Sequence, residues 1–403
     1  MAAADDVSRR SLLLGAVGTA AGLAGAAVGG VTGGVVATPS RAPDTGRPPL
    51  WKTAYRRGIV YGTSLATWQT GGRFRSMVNR EAAMLFTEDD LLWYRLKPTP
   101  SAALDFSYAD QVFDIAERHG QLVFAAHLVW DEGFGEGWTD DDLWGLSEKK
   151  ARTLLFGTAR AVLRRYRGRV AAWVVCNEVT DPEGRRGVRT NVPWYHTIGP
   201  EYISEAFAIA REEDGRATLV LNEFGFETVN QYGDRPGDRQ KATLQVIDML
   251  IRKGTPPDAL GVQAHLLAER FADRFHPGAY QRFLREVRDR GLDILITELD
   301  VLDDGLPKNI EQRDRGVAEV YRRYLDVALD DDYVGAVISF GLSDRYTWLD
   351  EDEPRADGAH RRPLLFDRRM RPKPAFGATR ASLIDADKRK PLWVPPRAAA
   401  LRQ

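Results

Sequence analysis

Cysteine is almost missing from this 403-residue chain, where Cys176 stands alone. No intramolecular disulfide can form, and one thiol cannot by itself build a thiolate metal site. Only six histidines occur, none in an HExxH-type spacing, so the commonest signature of a helix-borne metal centre is absent. No charge of one sign predominates: 56 Lys and Arg oppose 57 Asp and Glu, a formal net charge of −1. Without a net positive field there is no electrostatic footing for a polyanion, and nucleic acid is not expected as a partner. The first apolar run ends in Gly62-Thr63-Ser64-Leu65, which lacks the Gly-x-Gly-x-x-Gly fingerprint of a dinucleotide-binding open sheet. What is present is a composition of 43% hydrophobic and 28% charged residues, enough apolar surface for a sizeable core. Ten Trp and thirteen Tyr are generous. Most must serve packing, but exposed aromatic faces suit flat, hydroxyl-rich ligands.

Residues 11 to 40 carry no charged side chain and follow Ser8-Arg9-Arg10-Ser11. This resembles a twin-arginine export signal, expected over residues 1–37, and a periplasmic or extracellular location without stable membrane association after cleavage. Glycines at 15, 18, 22, 25, 29, 30, 33 and 34 lower helix propensity and argue against a permanent anchor. Pro39, Pro43, Pro48 and Pro49 mark residues 38–57 as a linker. The basic, proline-containing residues 387–403 read as a solvated tail.

Between these ends short β-branched runs alternate with longer amphipathic segments. Strands are predicted over 58–64, 83–87, 121–127, 171–177, 217–222, 259–265, 292–298 and 334–340. Helices are predicted over 72–82, 107–119, 147–167, 199–213, 238–253, 277–290, 309–329 and 374–386. Eight strand–helix repeats point to a single-domain (β/α)8 barrel over residues 58–386, with a doubly wound open sheet as the alternative. In such a barrel chemistry gathers where strands end. The predicted ends carry Glu88 and Asp89, His127 and Trp130, Asn177 and Glu178, Asn222 and Glu223, Gln263 and His265, Glu298 and Asp300, then Phe340 and Ser343. Any one carboxylate there could be a helix cap or a solvated loop charge; the set as a whole is harder to explain that way. Glu178 and Glu298 close the fourth and seventh strands, across the mouth from each other. Two carboxyl groups about 5–5.5 Å apart there would suit double-displacement glycoside hydrolysis with retention.

Six motifs in order extend the argument: Glu88-Asp89-Asp90-Leu91-Leu92-Trp93, His127-Leu128-Val129-Trp130, Trp173-Val174-Val175-Cys176-Asn177-Glu178, Gln263-Ala264-His265, Ile296-Thr297-Glu298-Leu299-Asp300, and Pro363-Leu364-Leu365-Phe366-Asp367 with Lys373-Pro374. Through them the chain resembles glycoside hydrolase family 10, the endo-β-1,4-xylanases, from about residue 58 to 380. The resemblance implies a (β/α)8 fold, hydrolysis of xylan or a related hemicellulose, and no metal or organic cofactor. It implies Glu178 as acid/base, Glu298 as nucleophile, His265 and Asp300 orienting the nucleophile, and Glu88, Asp89, Trp130, Asn177, Gln263 and Trp348 as sugar contacts. Cys176 is expected to be strand packing. The chain departs from the family at Asp89 and Leu92 (Asn and Lys in the family), at Ala126 and Asp131 (both His), and at Phe340 (Trp). These changes leave open a barrel that binds carbohydrate without turnover, or a hydrolase of another β-glycan.

Overall fold

A computed structural model describes residues 46–401 apart from Thr70 and Asp331. It contains nine parallel strands: β1 (Val60–Leu65), β2 (Met84–Thr87), β3 (Leu122–Ala125), β4 (Ala172–Asn177), β5 (Thr218–Glu223), β6 (Ala259–Val262), β7 (His265–Leu267), β8 (Asp293–Leu302) and β9 (Val334–Ser339). Their order is β6-β5-β4-β3-β2-β1-β9-β8, and pairing of Leu260 with Ile294 between β6 and β8 closes the ring. Eight strands thus form a (β/α)8 barrel, and β7 hangs outside it on the far half of β8. The strands are buried on both faces, which is why they read as continuous apolar runs such as Trp173–Cys176 and Ile294–Ile296 instead of alternating ones.

The eight predicted helices are all present within one or two residues of their expected ends. Each buries apolar residues against its neighbours. In Pro277–Asp289 the buried residues are Tyr280, Phe283, Leu284 and Val287, the three-and-four spacing of one helix face. Ile310–Ala328 starts where the Asn309 side chain accepts from the Gln312 backbone N–H at 3.0 Å.

Three parts of the sequence reading need correction. The stretch expected to be a linker holds a helix, Leu50–Tyr55, whose Leu50, Trp51 and Ala54 are buried. The Leu50 N–H donates to Glu81 at 2.8 Å, so the packed domain starts at residue 50; apolar side chains after Pro49 have a core to enter. The tail is not simply solvated, at least as far as it is described. The Arg389 N–H donates to the Arg57 carbonyl, the Arg397 N–H to the Gly120 carbonyl, Leu392 lies over Gly335, and Ala398 is buried. It straps the end of the barrel opposite the strand termini that carry the acids. The seventh barrel strand does not stop at Glu298 but runs to Leu302, because His265 of β7 pairs with Asp300 and prolongs the ladder. The expected export signal lies outside the described residues, and among those described no helix is long and apolar enough to cross a membrane.

Candidate active site

Five amide and carboxylate side chains meet at the mouth of the barrel. The Gln263 Nε2 donates to Glu178 Oε1 at 3.0 Å and to Asn177 Oδ1 at 3.3 Å. The Asn222 Nδ2 donates to the same Asn177 oxygen at 2.8 Å and to Glu298 Oε1 at 2.7 Å. Glu178 and Glu298 are thereby joined by an unbroken chain of hydrogen bonds through Gln263, Asn177 and Asn222. Glu298 takes a further contact from His265 Nε2 at 3.3 Å, and His265 Nδ1 lies 2.8 Å from Asp300 Oδ1. The Trp348 indole N–H closes this line on Asp300 Oδ2 at 2.8 Å.

The electrostatics follow from these partners. Burial alone would drive the His265 imidazolium to shed its proton, but Asp300 and Glu298 outweigh it and raise its pKa to about 10. Burial alone would likewise raise the Glu298 carboxyl; the hydrogen bond and charge of His265, with Asn222 adding its donor, hold it below the ordinary carboxylate range. Glu298 is therefore an oriented anion in a largely dry site, the condition a carboxylate nucleophile requires.

Glu178 sits just beyond β4 with φ of 55°, in the left-handed region, which costs a non-glycine residue about 1–2 kcal/mol. The following turn is held from several sides. The Glu178 N–H donates to the Asn222 carbonyl at 3.0 Å. The Thr180 N–H donates to Glu223 at 2.8 Å, Arg239 donates to the Thr180 carbonyl at 3.0 Å, and Arg239 pairs with Glu223 at 2.9 Å. Beside Glu178, where the family has a histidine, Asp131 is gripped by Arg189 at 3.1 and 3.2 Å. Burial first, and the Glu178 charge after it, push the Asp131 carboxyl up to about 6 against the pull of Arg189.

The structure brings Glu178, Glu298, Asn177, Gln263, His265, Asp300 and Trp348 into one network. Gln263 and Trp348, expected as sugar contacts, each spend a side-chain N–H on a carboxylate. Glu88 and Asp89 stand apart, on the β1–β2 side. Glu88 accepts from Ser64 at 2.6 Å and Gln69 at 3.0 Å, and burial with the neighbouring Asp89 charge raises it to about 8. Trp130 packs against His127 with ring centres 5.0 Å apart, and neither its indole N–H nor the His127 ring nitrogens have a partner among the described residues. Burial lowers His127 to about 4, leaving it neutral. Phe340 sets its ring perpendicular to His265 at 5.6 Å. Cys176 is fully buried, and burial pushes its thiol well up, as expected of strand packing. The residue the sequence reading left without a role is Asn222. Its one visible signal is an amide at a strand end directly before Glu223, and Thr297 at 2.7 Å fixes which atom faces Glu298.

Comparison with known proteins gives a concordant result. Residues 50–382 match the sequence model described as glycosyl hydrolase family 10. Similar relatives include endo-1,4-beta-xylanase B of Thermotoga neapolitana, 28% identical over 80% of this chain and 87% of its own, and a thermostable celloxylanase of Thermoclostridium stercorarium, 28% identical over 82% and 86%. Native xylanase 10B of Thermotoga maritima superposes with a TM-score of 0.73 at 27% identity, covering 84% of this chain and 98% of that one. Xylanase 10B of Thermotoga petrophila, solved in complex with xylobiose, superposes at 0.72 with 26% identity, covering 84% and 97%.

Proposed function

The chain belongs to glycosyl hydrolase family 10 and is an endo-1,4-β-xylanase-like glycoside hydrolase, and we propose that it cleaves internal β-1,4-xylosidic bonds with retention, using Glu298 as nucleophile and Glu178 as acid/base. The observation that carries this reading is the hydrogen-bonded chain from Glu178 to Glu298, with His265 holding the latter ionised. In the first half-reaction Glu298 attacks the anomeric carbon while Glu178 protonates the departing oxygen. In the second Glu178, now a carboxylate, takes a proton from water that displaces Glu298. Asn177 and Gln263 belong to the hydrogen-bonded chain that links the two carboxylates and serve as hydroxyl partners of the reacting sugar. Asp300 and Trp348 keep His265 in place behind the nucleophile.

The substrate on this reading is xylan or a xylo-oligosaccharide, as the names of the relatives suggest, met outside the cytoplasm if residues 1–37 direct export. The test is reducing-sugar release from linear xylan and aryl release from an aryl β-xylobioside. The wild-type chain should act on both and Glu298→Gln on neither. Equal activity of the two proteins, or none in either, contradicts the proposal.

A further inference from the structure

Two large exposed aromatic rings follow strands at the end of the barrel that carries the acids. Trp68, 40% exposed, follows β1; Tyr232, 46% exposed, follows β5. Tyr232 leans on Phe224. Trp68 is fixed in a way that the reaction chemistry does not explain. Its indole N–H donates to Asp89 Oδ2 at 2.5 Å, and its ring meets Tyr346 edge-on at 5.8 Å. Tyr346 is in turn packed on Phe74 at 4.6 Å. With the polar N–H already satisfied within the protein, what the exposed part of Trp68 offers is a hydrocarbon face. A tethered ring with an exposed face loses little rotamer freedom on binding.

The surroundings define what that face can take. Glu88, Asp89 and Asp90 follow β2, and Asp352 ends a short helix, Leu349–Asp352, after β9, where burial and the charges of Glu351 and Asp89 push its carboxyl up to about 6. Arg95 is set against Asp89 and Asp90, and Arg75 donates to the Thr67 and Gln69 carbonyls on either side of Trp68 at 3.3 and 3.4 Å. Leu92, where the family has a lysine, lies against Gly133 and adds no charge. A neutral pyranose can lay its C–H face on the indole here, whereas a uronate would bring a further carboxylate to a cluster in which Glu88, Asp89, Asp90 and Asp352 outnumber the guanidinium groups of Arg95 and Arg75.

We propose that Trp68, positioned by Asp89, is a stacking platform for an uncharged pyranose unit of the substrate on the β1–β2 side of the cleft, and that the acids around it reject uronate-substituted units. The inference rests on the carbohydrate reading of the site but not on turnover. Its test uses the full chain carrying Glu298→Gln, titrated calorimetrically with linear xylohexaose and with a glucuronic-acid-substituted xylo-oligosaccharide of the same backbone length. Adding Trp68→Ala should weaken xylohexaose binding about three- to tenfold, while Trp68→Phe keeps most of it. Asp89→Ala should weaken it as well, because the ring is no longer tethered, and Asp89→Asn, which still accepts the indole N–H, should weaken it less than Asp89→Ala does. The substituted ligand should bind more weakly than the linear one. Unchanged xylohexaose affinity in Trp68→Ala overturns the platform even if the wild-type chain hydrolyses xylan. Trp68-dependent binding by a chain that hydrolyses nothing upholds the platform and removes the hydrolase reading instead. Equal or tighter binding of the substituted ligand overturns the charge selection, and no binding of xylohexaose at all overturns the platform.

Discussion

Asn222 holds the Glu298 carboxylate with an amide it shares: Nδ2 donates to Glu298 Oε1 at 2.7 Å and to Asn177 Oδ1 at 2.8 Å. A donor aimed at an oxygen whose charge changes during the reaction contributes to rate more than to binding. Asn222→Ala should lower kcat on an aryl β-xylobioside by about 100-fold or more with little change in KM. A change confined to KM would mean that Asn222 binds sugar and does not orient the nucleophile.

Gly261 makes that arrangement possible. A Cβ at this position would overlap Asn222 Oδ1, the atom that Thr297 fixes at 2.7 Å. Gly261→Ala should therefore displace the Asn222 amide, reproducing much of the kcat loss of Asn222→Ala and costing about 1–3 kcal/mol of stability from overpacking. Denaturant unfolding and steady-state kinetics on the same preparation check both effects. A stability loss with intact kcat would separate the glycine from the catalytic network.

His265 sets the ionisation of Glu298. Replacing it with Asn removes the charge that holds the Glu298 carboxyl low, so the acidic limb of the kcat/KM profile should move to higher pH; an unmoved limb contradicts the role. The same group gives a stability signature. Its pKa is raised from 6.5 to about 10 on folding, so the stabilisation is fully present below about pH 6.5 and is lost as pH climbs toward about 10. The difference in unfolding free energy between wild type and His265→Asn should narrow across that interval.

Much of this architecture can be read from the residues, and the parts that cannot have a physical reason. Runs such as Trp173–Cys176 and Ile294–Ile296 announce parallel strands because both faces are buried, and the carboxylates that interrupt them mark the mouth of the barrel. The extension of β8 to Leu302 is invisible because it depends on β7, a three-residue strand with no periodicity of its own. The strapping of residues 389–398 is masked by their basic composition; what decides it is Leu392 finding the bare backbone of Gly335. Asn222 was legible as a strand-end amide, but its role needs three partners from β4 and β8, and no spacing along the chain encodes them.

Glu178→Ala should slow substrates with poor leaving groups by about 100- to 10,000-fold while sparing those with activated aryl leaving groups in the first step. Azide, small enough to enter the space left by the carboxyl, should restore part of the rate and yield the β-glycosyl azide. Uniform loss for all leaving groups, without rescue, would remove the acid/base assignment.

The most direct measurement is to trap the covalent intermediate. A 2-deoxy-2-fluoro xylobioside with an activated leaving group slows breakdown of the intermediate more than its formation, and peptide mapping of the inactivated chain locates the sugar. A single glycosyl adduct on Glu298, formed with time-dependent loss of activity and absent in Glu298→Gln, is the expected result. An adduct on any other residue, or inactivation without one, would contradict a nucleophile at the centre of the network that joins Glu298 to Glu178.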